Sequence, residues 1–390
     1  MDDAVKLGLD HNPQVTAARA GVASAKASYR ALASLPPITL SATQQQGKAT
    51  DPDTFIDLGE TIDLSGQRRY GAAGANQQYR AAFFQFHETM LSLEQQIRDG
   101  YWTLAAAQGQ TQIATIGLKE AQRVFDLTVK QEQAGTSPKS DVIRSSIDVA
   151  NVKQTLILAQ SAEKNALITF NVLLAQPPTT QTNLNSDLTK DTIVSQTEMT
   201  ESLQELDRRA LANRPVVKAV AAQALAAKYG VQQAESSRLP DLNIGFQKSV
   251  VIPRNSLVFS LSFPLLDFGS VSHSVRASKE LRKQAEAVQL QTQLEVSRQV
   301  AQAYTDLKSA MESAASYKKD ILDPSVTLLG MAQLGYQQGA TGILPIIDAE
   351  STIRNARLGY INSLLAVHKA QDEMLAAIGT PSAPRTPNKP

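Results

Sequence analysis

The residues able to do acid–base or metal chemistry are few and scattered along the chain. It has no cysteine, and its four histidines are His11, His87, His273 and His368. No two of these histidines have the spacing that a metal site requires. Acidic residues near the ends of predicted strands are Glu60, Asp63 and Asp267. Since no nucleophile or base stands beside them in the sequence, we predict no enzyme activity, no metal site and no cofactor.

Composition narrows the possible partners. The 390 residues include 38 basic and 37 acidic side chains, so no strong field favours nucleic acid as a partner. The absence of cysteine rules out disulfides and thiolate metal sites. No window of about eighteen uninterrupted apolar residues occurs, so the sequence predicts no membrane-spanning helix. Membrane β-strands give a weaker signal and stay possible.

Two stretches predict helices of unusual length. One runs from Gly66 to about Gly135 without proline, and the other runs from Gly269 to about Gly339 with only Pro324 inside it. At 1.5 Å per residue each would reach about 100 Å. A helix of that length cannot bury its apolar stripe within its own small domain. We therefore expect it to pack on other long helices as a coiled coil or a helical tube.

Two shorter stretches alternate between apolar and polar residues and predict β-hairpins. In the first, Ile38, Leu40 and Ala42 are followed, after a polar turn at 48–53, by Ile56, Leu58, Ile62 and Leu64 on one face. In the second, alternation runs over 242–246 and 257–263. Strands of about ten residues with one apolar face suit a tilted membrane strand.

The chain repeats this order of elements once, because landmarks such as Gly66 and Gly269, or Tyr101 and Tyr304, recur at an offset of about 202 to 204. We predict a first repeat over 1–199 and a second over 200–379, followed by a disordered tail at 380–390. After its first helix, the first repeat has a hairpin at 37–65, a long helix at 66–134, a helix at 138–175 and a linker. The matching elements of the second repeat are a hairpin at 241–267, a long helix at 269–338 and a helix at 342–378.

The order and duplication of these elements resemble the TolC-type outer-membrane efflux proteins. The motifs that carry the resemblance are Asn12-Pro13, Arg214-Pro215, Leu35-Pro36, Leu239-Pro240, the run from Pro264 to Gly269, and the Tyr-x-x-Gly turn at Tyr336 to Gly339. The fold class this implies is mainly α with a small β part. The long helices would form a periplasmic coiled-coil tunnel, and four strands per chain would contribute to a trimeric twelve-stranded β-barrel in the outer membrane of a Gram-negative bacterium.

The resemblance also implies a function and partners. The protein would be a homotrimeric exit duct in contact with outer-membrane lipid, docked to a periplasmic adaptor and an inner-membrane pump of an efflux or type I secretion system. The alternative is a periplasmic coiled-coil scaffold or adaptor whose hairpins belong to a small β-domain. The exported substrate, the class of pump, the native amino terminus with its lipidation and the resting state of the gate stay open.

The resemblance places a gate at the two helix-hairpin tips, near Gly135 and Gly339. The family's closing contact falls on Tyr336 and Asp141, a phenol that would donate to a carboxylate. Asp348 matches one aspartate of the family's narrow ring, whereas Pro345 replaces the other and Thr341 replaces a basic residue. The predicted gate residues are Tyr336, Asp141, Asp348, Ser140 and Thr341. The residues expected to contact the adaptor are Gly135, Thr136, Ser137, Gly339, Ala340 and Gly342.

Overall fold

The computed structural model describes residues 1–45, 53–182, 184, 201–250, 254–262 and 268–380. The helices are α1 (Asp2–His11), α2 (Pro13–Ala33), α3 (Gln67–Gln133), α4 (Lys139–Leu173), α5 (Leu203–Asn213), α6 (Pro215–Ser236), α7 (Ser270–Ser316), α8 (Asp323–Gln337) and α9 (Leu344–Ala377). The strands are β1 (Thr39–Gln45), β2 (Asp53–Ile62), β3 (Asp241–Ser249) and β4 (Asn255–Ser262). Predicted features that fall mostly outside the described residues are the turn at 48–53, the linker after residue 184, the motif residues 264–267 and the tail at 381–390.

The described chain forms two compact units, and each unit draws segments from both halves of the sequence. Unit 1 comprises Met1–Thr16, Thr89–Arg214 and Val296–Pro390. Unit 2 comprises Ala17–Glu88 and Pro215–Glu295 and contains all four described strands. The two predicted sequence repeats are therefore not two separate compact domains.

The strands of unit 2 form one antiparallel sheet in the order β1-β2-β3-β4. The two hairpins join through β2 and β3, which pair from Phe55 opposite Ser249 to Ile62 opposite Leu242. This leaves β1 and β4 as the edges of the described sheet. Each edge strand presents a row of backbone groups that this chain alone does not pair.

The register places most of the apolar side chains on one face of the sheet. One row across the four strands is Leu40, Leu58, Phe246 and Leu257. The exposed fractions of these four side chains run from 41% for Phe246 to 72% for Leu40 and Leu257. The opposite face is mainly polar, with Thr, Ser, Asn, Asp, Gly and Gln residues and the two apolar side chains of Phe55 and Val258. The predicted alternation is therefore present, and the protein chain does not cover the apolar face.

A side-chain cap starts the first long helix. The Asp63 carboxylate accepts hydrogen bonds from the backbone N–H of Gln67 at 3.2 Å and of Arg68 at 2.6 Å, which satisfies free donors at the start of α3. The Arg68 side chain donates to the carbonyls of Leu32 and Ser34 at the end of α2. Arg68 therefore fastens α2 to the start of α3.

The second long helix is not α-helical throughout, as the sequence predicted for 269–338. Between α7 and α8 lies a π-helical segment, Tyr317–Leu322. Pro324, at the start of α8, has no N–H to donate, and the wider turn precedes it directly. The Tyr317 ring lies over Gly359 of α9, where a Cβ atom would overlap its hydroxyl. The π segment therefore coincides with a close contact between helices.

In unit 1 the core lies where α3 meets α8 and α9. One cluster joins Ala106 and Ile113 of α3 to Ile361 and Leu364 of α9. A second cluster, nearer the helix ends, joins Val124 of α3 to residues of α8 and α9, and the Tyr336 ring packs against it. Burial of these side chains holds the tips of the helices in place.

Candidate gate at the helix tips

The two tips are built by the same backbone turn. Gly135 and Gly339 both have φ of 72°, a left-handed conformation that favours glycine. After α3, the N–H of Gly135 donates to the carbonyl of Glu132 and the N–H of Thr136 to that of Gln131. The N–H groups of Gly339 and Ala340 repeat this pattern at the end of α8. Both helices thus end in a Schellman motif, which satisfies their last carbonyls.

A small polar cluster starts α4. The Ser137 hydroxyl donates to Asp141 Oδ2 at 3.2 Å, and the Ser140 hydroxyl lies 3.5 Å from Asp141 Oδ1. Asp141 lies in the first turn of α4, where a negative charge is stabilised by the helix dipole. Ser137 and Ser140 therefore help to hold the Asp141 carboxylate at the tip.

The Tyr336 hydroxyl donates to the side-chain carbonyl of Gln131, which joins the last turns of α8 and α3. Burial raises the pKa of Tyr336, the hydrogen bond to Gln131 lowers it, and the charge of Asp141 raises it. Asp141 is therefore close enough to act on the phenol electrostatically. The phenol stays protonated and acts as a donor at neutral pH.

The structure gives Tyr336 and Asp141 other partners than the sequence predicted. Tyr336 bonds to Gln131, and Asp141 accepts from Ser137. The predicted direct contact between them is not the hydrogen bond formed in this chain, because the Gln131 amide reaches the phenol. Sequence reasoning missed Gln131, although its place four residues before Gly135 sets it opposite Tyr336 in the matching turn.

The remaining predicted residues lie at the second tip. Asp348 is exposed on α9, and its backbone carbonyl accepts from the Thr352 hydroxyl at 2.9 Å. The backbone N–H of Thr341 donates to the carbonyl of Gly335, and its side chain covers Gly335, where a Cβ would lie 3.1 Å from Thr341 Oγ1. Thr341 therefore closes the end of α8. Gly342 is exposed.

Farther from the tips, an ion pair that the sequence did not predict joins α9 to α4. Arg354 Nη2 lies 3.0 Å from Asp148 Oδ1. The Arg354 side chain crosses Gly117 of α3, where an added Cβ would be 2.6 Å from Arg354 Cδ. A glycine inside a long helix was the one sequence signal for this close approach.

Unit 1 also buries a group of ionisable side chains. Arg98 of α3 lies 3.6 Å from Glu94 and 3.8 Å from Asp372 of α9, and each of the three residues is at most 6% exposed. Burial raises the pKa of Asp372 to about 7, although Arg98 lowers it. Burial likewise raises the pKa of Asp99 to about 6. The single positive charge of Arg98 thus lies near more buried carboxylates than it can neutralise.

Two features are absent from the part of the chain that the structure describes. None of the helices described here combines the length and apolar character needed to cross a membrane. Within the same part of the chain, no group of three or more His, Cys, Asp or Glu side chains is arranged to hold a metal ion.

Comparison with known families identifies the chain. The model of the outer membrane efflux protein family matches residues 4–176 and 206–380, which include all of the described helices except the first two residues of α1 and the first three of α5. The chain belongs to the outer membrane efflux protein family. The first matched segment falls within the first predicted repeat, and the second matched segment ends one residue beyond the second predicted repeat.

Relatives of this efflux protein are distant in sequence. The pyoverdine export outer membrane protein OpmQ of Pseudomonas putida is 23% identical over 85% of this chain and 72% of its own length. The cobalt-zinc-cadmium resistance protein CzcC of Cupriavidus metallidurans is 20% identical over 95% of this chain and 87% of its own. Sequence identity at this level does not identify the compound that this protein exports.

Solved structures agree on the fold. The outer-membrane channel OprN superimposes with a TM-score of 0.85, at 21% identity, over 97% of this chain and 90% of its own. The CusC channel gives a TM-score of 0.84 at 17% identity, over 97% and 92% of the two chains. The predicted fold class of long helices, four strands and an internal repeat is confirmed.

Family membership also decides between the two functions that the sequence left open. This efflux protein acts at the outer membrane of a Gram-negative cell, as predicted, and the alternative of a periplasmic scaffold or adaptor is excluded. The family and the relatives named above are export and channel proteins.

Proposed function

We propose that three copies of this chain form a passive, gated exit duct through the outer membrane. The observation that carries the proposal is the two-faced sheet. Most of its apolar side chains lie on one uncovered face, which also carries Glu60 and Lys248, and the other face is mainly polar. This is the pattern of a wall with lipid on one side and a water-filled lumen on the other.

The open edges of the sheet require more than one chain. A sheet in lipid has no water to pair the free backbone groups of β1 and β4, so it must close into a barrel. If β4 of one copy pairs with β1 of the next, three copies give a barrel of about twelve strands, an even number as such barrels require. Trimer formation thus removes both edges at once.

The helices support the same assembly. Exposed apolar side chains on α4 recur at spacings that keep them on one face of the helix: Ile143, Ile147, Leu158, Ile168 and Val172. These side chains are between 44% and 62% exposed in the single chain. A helix with such a stripe is stable in water only when another helix covers it. A neighbouring copy in the trimer would do so.

The partners follow from the class of protein. The duct would receive its cargo from an inner-membrane pump through a periplasmic adaptor, which would contact the tip residues. In the structure the tips near Gly135 and Gly339 are exposed and available for such contact. One of the relatives is named for pyoverdine export and another for cobalt-zinc-cadmium resistance, although both are similar to this chain in sequence. Cargo would therefore be selected by the pump rather than by the duct.

The gate would lie at the tips, where Tyr336 joins α8 to α3 through Gln131. The Asp141 and Asp348 carboxylates, with Ser140 and Thr341 beside them, would line the aperture of the trimer. Three symmetry-related copies of the exposed Asp348 would favour cations. Opening would require the tip of α8 and α9 to move away from that of α3 and α4.

The duct is tested by reconstitution. Purified protein in a planar lipid bilayer should give discrete conductance steps, and cross-linking in detergent should give a trimer. Protein that stays monomeric and soluble without detergent, and never conducts, would contradict the proposal.

The gate is tested by removing its hydroxyl and carboxylate. Tyr336→Phe combined with Asp141→Ala should raise single-channel conductance, because the neutral hydrogen bond and the nearby charge that hold the tip are lost. Asp348→Asn should reduce the selectivity of the channel for cations, whereas the number of conductance steps should stay the same. Unchanged conductance in the double variant would remove this pair from the gate.

A further inference from the structure

Arg354 ties three helices of unit 1 together. Its Nη2 atom lies 3.0 Å from Asp148 Oδ1, and the exposed fractions of the two side chains are 13% and 15%. The arginine reaches α4 from α9 by crossing α3 at Gly117, where a Cβ would approach Arg354 Cδ to 2.6 Å and Val152 Cγ1 to 3.6 Å. The ion pair is thus seated in a groove that exists because residue 117 has no side chain.

The surroundings make this pair stronger than an ordinary surface pair. Glu350, one turn before Arg354, is 5% exposed. Burial and the charge of Glu120 raise the pKa of Glu350, while Arg354, Arg123 and Arg357 lower it. Arg354 Nη1 is buried and has no hydrogen-bond partner among the described residues. Charges with little access to water interact more strongly and are screened less by salt.

The pair lies inward of the tips on both helices. Asp148 follows Asp141 by two helical turns along α4, about 10 Å at 1.5 Å per residue, and Arg354 follows Asp348 by nearly two turns along α9. At the tip itself the described contact between the hairpins is the neutral hydrogen bond from Tyr336 to Gln131. The position that could carry a tip cation is Thr341, which instead closes the end of α8.

We propose that the Arg354–Asp148 ion pair is a second closing contact of the gate, set behind the tip and stronger than the tip hydrogen bond. It holds α9 against α4, so the tip of α8 and α9 moves outward only when this pair separates or rotates. Arg354 is a positioning residue that touches no cargo. The proposal rests on the gated duct proposed above.

Single-channel recording tests the pair through its charges. Arg354→Met keeps an unbranched apolar side chain in place of the stem of the arginine and removes the guanidinium charge, and it should raise mean conductance several-fold, as should Asp148→Asn. The double variant should conduct no more than either single variant, because both remove the same interaction. Arg354→Lys should stay near the wild type. Arg357→Met, an exposed arginine on the same helix, is the matched control and should change nothing.

A second measurement does not depend on conduction. The chain has no cysteine of its own, so spin labels would attach only to cysteines that are introduced. The substitutions Gln133→Cys and Gln338→Cys place one label at each tip. Arg354→Met should lengthen and broaden the distance distribution between them, whereas Arg357→Met should not. Unchanged distances, or additive effects of the two single changes on conductance, would overturn the second closing contact. If the wild type never conducts while the labels still respond, the duct fails and the ion pair stands.

Discussion

The sheet of unit 2 and the helical core of unit 1 treat apolar and charged side chains in opposite ways. In the sheet, Leu257 and Phe259 are 72% and 66% exposed, on a mainly apolar face whose charged side chains in the paired strands are Glu60 and Lys248. In the helical core, Ile361 and Leu364 are each 2% exposed, and Glu94 and Arg98 are buried nearby on α3. One region leaves apolar groups uncovered, and the other covers ionised ones.

If the sheet forms the proposed barrel, this difference reflects the solvent that each region faces. An uncovered apolar face is favourable only against lipid, because water would make each exposed side chain costly. A buried ion pair is tolerated only where the protein itself supplies the partner. A substitution that adds a charge to the apolar face of the sheet and one that removes a charge from the helical core should therefore have opposite effects on stability.

The largest effect is expected from a charge on the apolar face of the sheet. Phe259→Lys should prevent insertion into membranes, because a lysine facing the centre of the bilayer costs about 2–4 kcal/mol in each copy. Three copies in one barrel multiply that cost. Flotation of outer-membrane vesicles, with detection of the protein in the membrane fraction, measures the loss.

The matched control is the next residue on the same strand. Ser260 lies on the polar face, opposite Asn243 of β3. Ser260→Lys should therefore insert like the wild type and alter only the ion selectivity of the duct. Equal loss of insertion in both variants would contradict the assignment of the two faces to lipid and water.

The regions also differ in how far the sequence predicts them. Alternation is a local pattern, so the faces of β3 and β4 could be read directly, and the glycines at 135 and 339 marked both tips because few other residues adopt a positive φ. The hydrogen-bond partner of Tyr336 and the pairing of Arg98 with Asp372 could not be predicted from the sequence. These contacts join residues more than 200 positions apart, and only the packing of α3 on α8 and α9 brings them together.

A smaller effect is expected where the π-helical segment packs on α9. Gly359→Ala should destabilise the protein by about 1–3 kcal/mol, because the new methyl group would overlap the Tyr317 hydroxyl at this half-buried contact between helices. Gly330→Ala is the matched control, since nothing lies within 4 Å of a Cβ there. Alanine has the higher helix propensity, so this control should gain up to about 1 kcal/mol. Thermal melting of helical circular dichroism in detergent measures both changes.

The buried carboxylates predict a pH dependence. Burial raises the pKa of Asp372 from 3.8 to about 7 in the folded chain. Between about pH 4 and pH 7, the folded state therefore holds a proton on Asp372 that the unfolded state has lost. Stability from this group therefore rises as the pH falls from 8 to 5. Asp372→Asn should stabilise the protein at pH 8 by about 2 kcal/mol and flatten this slope.

Melting curves at pH 5, 6, 7 and 8 measure that slope. Glu94 still pairs with Arg98 in the variant, so the guanidinium keeps a partner. Asp99, with a pKa of about 6, should leave a weaker slope of the same sign. A variant that is less stable at pH 8 than the wild type would mean that the Arg98–Asp372 pair outweighs the cost of burial.

The smallest effect is expected at the ends of α4 and α9, which occupy matching places in the two repeats. Ala175 follows α4 with φ of 56°, and Gly379 follows α9 with φ of 71°. An alanine in this conformation costs about 1 kcal/mol relative to glycine, so Ala175→Gly should raise the melting temperature slightly. Gly379→Ala should lower it by more, because a Cβ there would also lie 3.0 Å from the Arg214 Cα atom. Equal and opposite shifts would mean that the backbone conformation alone sets both effects, whereas the contact with Arg214 predicts the larger loss at Gly379.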